Sequence, residues 1–315
     1  MNQTNAIQLL GTNKNAIKNF IIRNCRFEGF SSAIVTQGVQ GLTIQNNIFE
    51  SPKGHDNAQN GSQPAVFIWL ADNSNGQCFD VKILNNSVNG YTGNDITQTT
   101  TRRSMDGFVY GSAYGIKIEG NITRNLCEEH LLFQPQTTHT NLNYPVLITG
   151  NQFYLSIPSE SVKEGATLIS NYGIRADCNN VNIYNNDFYD YSLGVLIWPF
   201  QYSNLSQHGY NISGNRFYSA RTASYHVREA IKIQGSLKNP ANNIVVSNNV
   251  IDIDGITMKS SRAVVAVYDC NQVSITNNNI FAQNIILNGY IFSGILSEAC
   301  TDVKNENNEF RYKKK

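Results

Sequence analysis

Chemistry-bearing side chains are sparse in this 315-residue chain, only 15% of which is charged, and those able to act together fall between residues 106 and 232. Arg175 and Asp177 are two residues apart, so on a strand they share a face. Trp198 and Lys232 take corresponding places in two later segments of the same pattern, and Trp69 in an earlier one. Glu128, Glu129 and His130 open another copy, and Asp106 stands just before the copy that begins at Gly107. If these copies stack as neighbouring strands, Asp106 and Glu129 lie about 5 Å apart, close enough for one carboxyl to keep its proton while the other ionises. An acid beside a carboxylate is what general acid–base chemistry needs, glycosidic bond cleavage included. Trp198 and Trp69 would add flat apolar platforms, and Arg175, Lys232 and His130 hydrogen-bond donors. The competing reading is structural. Arg175 and Asp177 would form a surface ion pair worth under about 1 kcal/mol, the tryptophans would pack under a loop or at a subunit interface, and the corner carboxylates would be satisfied by amides or arginines.

A repeat must position these residues, and it is visible along the whole chain. An apolar strand running into a G-N or N-N step recurs ten times, as in LTIQNNIF, VLITGNQF, VNIYNNDF and VSITNNNI. The recurring position falls at Cys25, Asn47, Asn86, Asn121, Asn151, Asn186, Asn215, Asn249, Asn278 and Asn308, so nine of the ten are Asn. Asparagine tolerates left-handed backbone, and its amide can bond the same group one layer above and below. The 44 asparagines and the excess of Ile (32) over Leu (18) fit a β protein with many turns.

Upstream of each Asn turn sits a second short strand, small at position 1 and apolar at position 2. The copies after the first begin at Ala33, Ala65, Gly107, His130, Gly173, Gly194, Ala230, Ala263 and Gly294. Alternation directs positions 2 and 4 inward and 1, 3 and 5 outward, giving an outward stripe that includes Val35, Phe67 with Trp69, Val109, Leu132, Arg175 with Asp177, Leu196 with Trp198, Lys232, Val265 with Val267, and Leu296. Charge collects in its middle. Glu229 has the place before Ala230 that Glu129 has before His130, but about 14 Å away, and a salt bridge to Arg228 or Arg221 suits it better. Spacings of 22 to 39 residues between turns are too irregular for short uniform repeats. They suit coils whose strands stack in register while the loops vary in length, where a β-sandwich or propeller would not explain one recurring Asn turn.

With this pattern the sequence resembles the right-handed parallel β-helix proteins of the pectate-lyase-like superfamily, over nearly its whole length. The resemblance implies an all-β solenoid of about ten coils spanning residues 1–315 as one domain. It implies a carbohydrate-active protein that binds a polysaccharide along the first strand stripe and the loops beside it. Among such proteins the depolymerase domains of bacteriophage tailspikes fit best, which implies an endo-acting hydrolase of capsular or O-antigen polysaccharide. Asp106, Glu129 and Asp177 would be its catalytic carboxylates, and His130, Arg175, Trp198, Lys232 and Trp69 its sugar contacts. A lyase or epimerase using Arg175 or Lys232, and a non-catalytic adhesin, are the alternatives. Pectate lyases hold calcium with several clustered aspartates. Here the central stripe offers only Asp177, which departs from that pattern, and neither metal nor other cofactor is expected.

Composition bounds the remaining properties. A 41% hydrophobic fraction supports a real core, and 24 Lys+Arg against 23 Asp+Glu, net +1, excludes a nucleic-acid binder working through a basic field. No stretch nears the roughly 18 to 20 apolar residues of a membrane span, and no secretion signal is visible. Six cysteines without a CxxC spacing read as unpaired, mostly buried thiols. The insertions 50–64, 88–106, 154–171 and the PFQYSNLSQHG stretch after Trp198 would wall a groove over the central patch. Both ends look cut, which, with apolar residues at both ends of the stripe, leads to the expectation of a fragment of a longer virion or extracellular protein that assembles as a homotrimer.

Overall fold

In the computed structural model the chain winds into ten coils of a right-handed parallel β-helix. The structure describes residues 5–30, 32–51, 55–56, 65–71, 76–90, 102–103, 105, 107–126, 128–134, 145–155, 172–191, 193–198, 207–219, 229–254, 257–258, 263–283, 286–287 and 293–313. Among them every regular element is a strand. Each coil contributes one strand to each of three sheets. The first sheet runs in chain order from Asn5–Leu10 to Ser293–Glu298, the second from Ile17–Lys18 to Thr301–Glu306 and the third from Arg26–Glu28 to Glu309–Lys313, and neighbours in all three pair in parallel. Most parts of the four insertions lie outside the described residues.

The Asn turn joins the second sheet to the third, and its two residues divide the work. The residue before each repeated position is the left-handed one: Asn24, Asn46, Asn85, Gly120, Gly150, Asn185, Gly214, Asn248, Asn277 and Asn307 have φ between 53° and 68°. Asn and Gly occupy that place because other side chains meet their own backbone there. The next residue builds the ladder. Asn86 Oδ1 accepts the backbone N–H and the Nδ2 of Asn47 at 2.9 and 3.1 Å, while Asn86 Nδ2 donates to Ile44 O at 3.1 Å and to Asn121 Oδ1 at 2.9 Å. The same bonds repeat without interruption to Asn308. The sequence expectation had placed both properties on the ladder residue. The structure gives left-handedness to its predecessor.

The core fills by exchange of volume between sheets. Position 1 of each first-sheet strand points inward, not outward as strict alternation predicts, because two consecutive residues face the core as the chain rounds the corner into this sheet. A Cβ on Gly173 would stand 2.7 Å from the Phe188 ring, and one on Gly194 2.6 Å from Phe217. Phe188 and Phe217 stack with centroids 4.6 Å apart. Where the first sheet carries Phe67 and Phe108 at this place, the third sheet answers with the smaller Val88 and Thr123. Small residues at position 1 thus make room for a facing ring.

Register corrects three coils of the expected stripe. Ile34 pairs with Ile68, Gly107 with Val66, Val109 with Leu131 and Ile231 with Val265. Phe67, Val109, Val265 and Val267 are therefore core residues, each at most 1% exposed. Tyr110 and Ala266 take their places in the column that points away from the core, where both are nonetheless covered, at 3% and 0% exposed. With these residues turned inward, the apolar ends of the stripe that pointed to a homotrimer shrink to Val35, Trp69 and Leu296.

Candidate functional site

One column of first-sheet residues points away from the core: Gln8, Val35, Trp69, Tyr110, Leu132, Arg175, Leu196, Lys232, Ala266 and Leu296. Coils five and six interrupt its mostly apolar or solitary character. Arg175 reaches back along its own strand and across to the previous coil. Its Nη1 lies 3.4 Å from Glu129 Oε1, and its Nε and Nη2 lie 3.4 and 3.2 Å from the two oxygens of Asp177. One guanidinium thus grips Asp177 side-on with two donors and Glu129 with a third, the planar geometry that Arg provides and Lys cannot.

Further donors complete the cluster. Tyr110 Oη donates to Glu129 Oε2 at 3.0 Å, and Gln134 Nε2 donates to Asp177 Oδ2 at 2.9 Å. Trp198, which follows the strand paired with Arg175's strand, presents its ring 5.2 Å from the guanidinium carbon, a cation–π contact. Side-chain exposure separates the two acids: Glu129 keeps 10% of its surface, Arg175 keeps 15% and Asp177 keeps none. Burial pushes the Asp177 carboxyl above the usual carboxylate range, although Arg175 and the Gln134 hydrogen bond pull it down. Two carboxyls therefore meet one cation in unequal environments, the arrangement that lets one hold a proton while the other is charged.

Several expected site residues stand elsewhere. His130 is fully buried and points inward from the position that is Gly or Ala in most coils. Its Nδ1 lies 2.6 Å from Thr123 Oγ1 and its ring meets Phe153 edge-on, so it faces the core and not the outer column. Burial lowers its pKa to about 3, leaving a neutral ring. Asp106 lies outside the described residues. The carboxyls that the structure brings together are Glu129 and Asp177, joined through Arg175. Lys232 lies two coils on from Arg175, with its Nζ 5.4 Å from the Tyr268 ring centroid. Trp69 is half-buried beside Tyr110 in the outer column. Glu229 is 6% exposed, while Arg221 and Arg228 lie outside the described residues.

Tyr110 and Tyr268 belong to this face and are not reached by alternation from position 1, whereas Gln134, two residues beyond Leu132, is. A signal existed: two adjacent inward residues recur at the second and third places of these strands, as in Phe67-Ile68, Phe108-Val109 and His130-Leu131, and aligning on that pair turns Tyr110 outward. Among the described residues no group of three His, Cys, Asp or Glu side chains could hold a metal ion, and no helix is long and apolar enough to cross a membrane.

No family model matches the sequence, and no curated protein is similar to it. Among solved structures, the A-module of a mannuronan C-5 epimerase from Azotobacter vinelandii aligns over 92% of this chain and 82% of that one, at 12% identity and a TM-score of 0.40. An overlap this loose carries no argument about residues or activity, and the fold rests on the strand pairing above.

Proposed function

We propose that the protein is a carbohydrate-active β-helix, an endo-acting hydrolase of capsular or O-antigen polysaccharide of the tailspike type, working on the outer face of the first sheet at coils five and six. The observation that supports this is the pair of carboxyls on opposite edges of the Arg175 guanidinium, one keeping a tenth of its side-chain surface open and the other fully covered with its pKa raised. In this reading Asp177 supplies the proton to the leaving sugar oxygen and Glu129 draws a proton from the attacking water. This is the division of labour of an inverting glycosidase, whose carboxyls stand apart to admit that water. Substrate must uncover Asp177 by turning aside Gln134 or Arg175, and Trp198 supports the guanidinium during that movement. A lyase or epimerase would need Arg175 free to neutralise a uronate carboxylate. Here Glu129 and Asp177 already occupy its donors, which favours hydrolysis.

The experiment is digestion of capsular and O-antigen polysaccharides, read both by reducing ends and by the ultraviolet absorbance of an unsaturated uronate. New reducing ends without absorbance are expected, and Glu129→Gln and Asp177→Asn should each lower the rate by at least about a hundredfold with the fold intact. Reducing ends with absorbance would replace the reading with a lyase, and binding without cleavage would replace it with an adhesin. Full activity in both variants would remove the site.

A further inference from the structure

The corner between the first and second sheets sets two thiols side by side in coils nine and ten. On one side of the corner Tyr268 pairs with Glu298, and on the other Asn271 pairs with Thr301. Two residues separate the paired positions in each coil, so Cys270 and Cys300 are level. The residues before them, Asp269 and Ala299, have φ of 51° and 53°, so both chains leave the corner in the same direction. Neighbouring parallel strands run about 4.8 Å apart, inside the Cα separation of about 4.4 to 6.8 Å that a disulfide spans. Cys270 Sγ donates to Tyr268 O at 3.0 Å. Cys300 Sγ reaches back across the coil boundary to Val267 O at 3.4 Å, and the two thiols are hydrogen-bond neighbours.

Exposure differs between them in a useful way. Cys270 is fully buried, whereas Cys300 is partly open to solvent. The strand that follows Cys300, Thr301–Glu306, is exposed at every residue, and among the described residues it pairs on one side only. Cys78 is the contrast: it has the same place in coil three, but Ala113 stands level with it in the next coil.

We propose that Cys270 and Cys300 are a redox pair that closes into a disulfide on meeting a small-molecule disulfide of the glutathione type, stapling coil ten to coil nine. The Cys300 thiolate attacks the small disulfide and displaces one thiol, leaving a mixed disulfide. The Cys270 thiolate then attacks the Cys300 sulfur and releases the second thiol. Two protein thiols give up two electrons and two protons, and the small disulfide takes up both as two thiols. Burial raises both thiols, Cys300 above the ordinary thiol range and Cys270 up to about 12, so both steps are slow at neutral pH and faster in alkaline buffer, the second most of all. The link closes a loop of some thirty residues, which restricts the unfolded state of the tenth coil.

The test is to reduce the full chain, remove the reductant and incubate it with excess oxidised glutathione at about pH 8.5. Expected are an intact mass lower by about 2 Da, a Cys270–Cys300 peptide under non-reducing digestion, and amide exchange in Thr301–Glu306 slowed by about tenfold or more. Reductant should reverse all three, and Cys300→Ser should show none of them. Should that variant fail to fold, the wild-type peptide map decides alone. Persistent glutathione on Cys300 without an internal link, or both thiols still open to alkylation, would overturn the proposal.

Discussion

The Asn turn and the outer column of the first sheet pass through the same ten coils and obey opposite rules. In the turn, eight ladder asparagines from Asn47 to Asn278 are at most 2% exposed and make the same bonds in every layer. The outer column holds Gln, Val, Trp, Tyr, Leu, Arg, Leu, Lys, Ala and Leu in succession. The difference is one of obligation. A buried amide in a ladder must give its neighbour what the next one gives it, since a broken chain of donors leaves orphans on both sides. An outward side chain owes its neighbour nothing beyond backbone pairing. Uniformity along a column therefore reports the demands of stacking, and a departure from the local pattern, such as Arg175 with its two acids, calls for another explanation.

Breaking the ladder should cost most. Asn186→Ala removes the acceptor for the backbone N–H and Nδ2 of Asn151, both at 2.9 Å, and the donor to Ile148 O and Tyr184 O. With buried donors orphaned in the middle of the solenoid, unfolding in urea should show a loss of about 3 kcal/mol. A loss under about 1 kcal/mol would mean that backbone pairing alone sets the stacking and that the Asn column is incidental.

An exception inside the core gives the next largest effect. His130 stands in an inward column of small or apolar residues, and burial holds its pKa at about 3 against an ordinary 6.5. The unfolded chain takes up a proton below pH 6.5 that the folded chain refuses until about pH 3. Stability is therefore full above pH 6.5 and falls as pH drops through that window, by up to about 1.4 kcal/mol per unit for this group. His130→Phe, borrowing the side chain that Phe67 and Phe108 place in the same column, should flatten the profile by about 2 kcal/mol between pH 6.5 and 5. Equal slopes in denaturation midpoints for the two proteins would show that His130 is hydrated in solution.

What was legible in the sequence follows the same division. The ladder could be read because its residues are constrained by their own copies, and ten recurrences fix the fold. Arg175, Asp177 and Trp198 could be placed on one face because their coils keep a clean alternation, whereas Glu129 joins them from a position that strict alternation turns inward. The neighbouring coils could not be placed. In Phe67-Ile68-Trp69 and Phe108-Val109-Tyr110 all the side chains are large and apolar or aromatic, so hydropathy does not mark which are outside, and a one-residue slip exchanges the faces. The inward turn of His130 was equally hidden, since it depends on Thr123 in the third sheet leaving space, a contact across the core that no local pattern carries.

The smallest change bears most directly on the face. Tyr110→Phe deletes only the hydroxyl that donates to Glu129 Oε2 at 3.0 Å. Glu129 keeps its ion pair with Arg175, and the ring keeps its packing beside Trp69, so the loss in stability should stay near about 1 kcal/mol, well below that of the ladder variant. If Glu129 is the group that draws a proton from water, its orientation matters beyond its contribution to folding, and kcat should fall by about tenfold with KM little changed. A mutation that costs less stability than Asn186→Ala yet removes more activity would separate the two columns by what each is for. Unchanged turnover alongside the same stability loss would instead make Tyr110, Glu129 and Arg175 one more structural network on the outside of the solenoid.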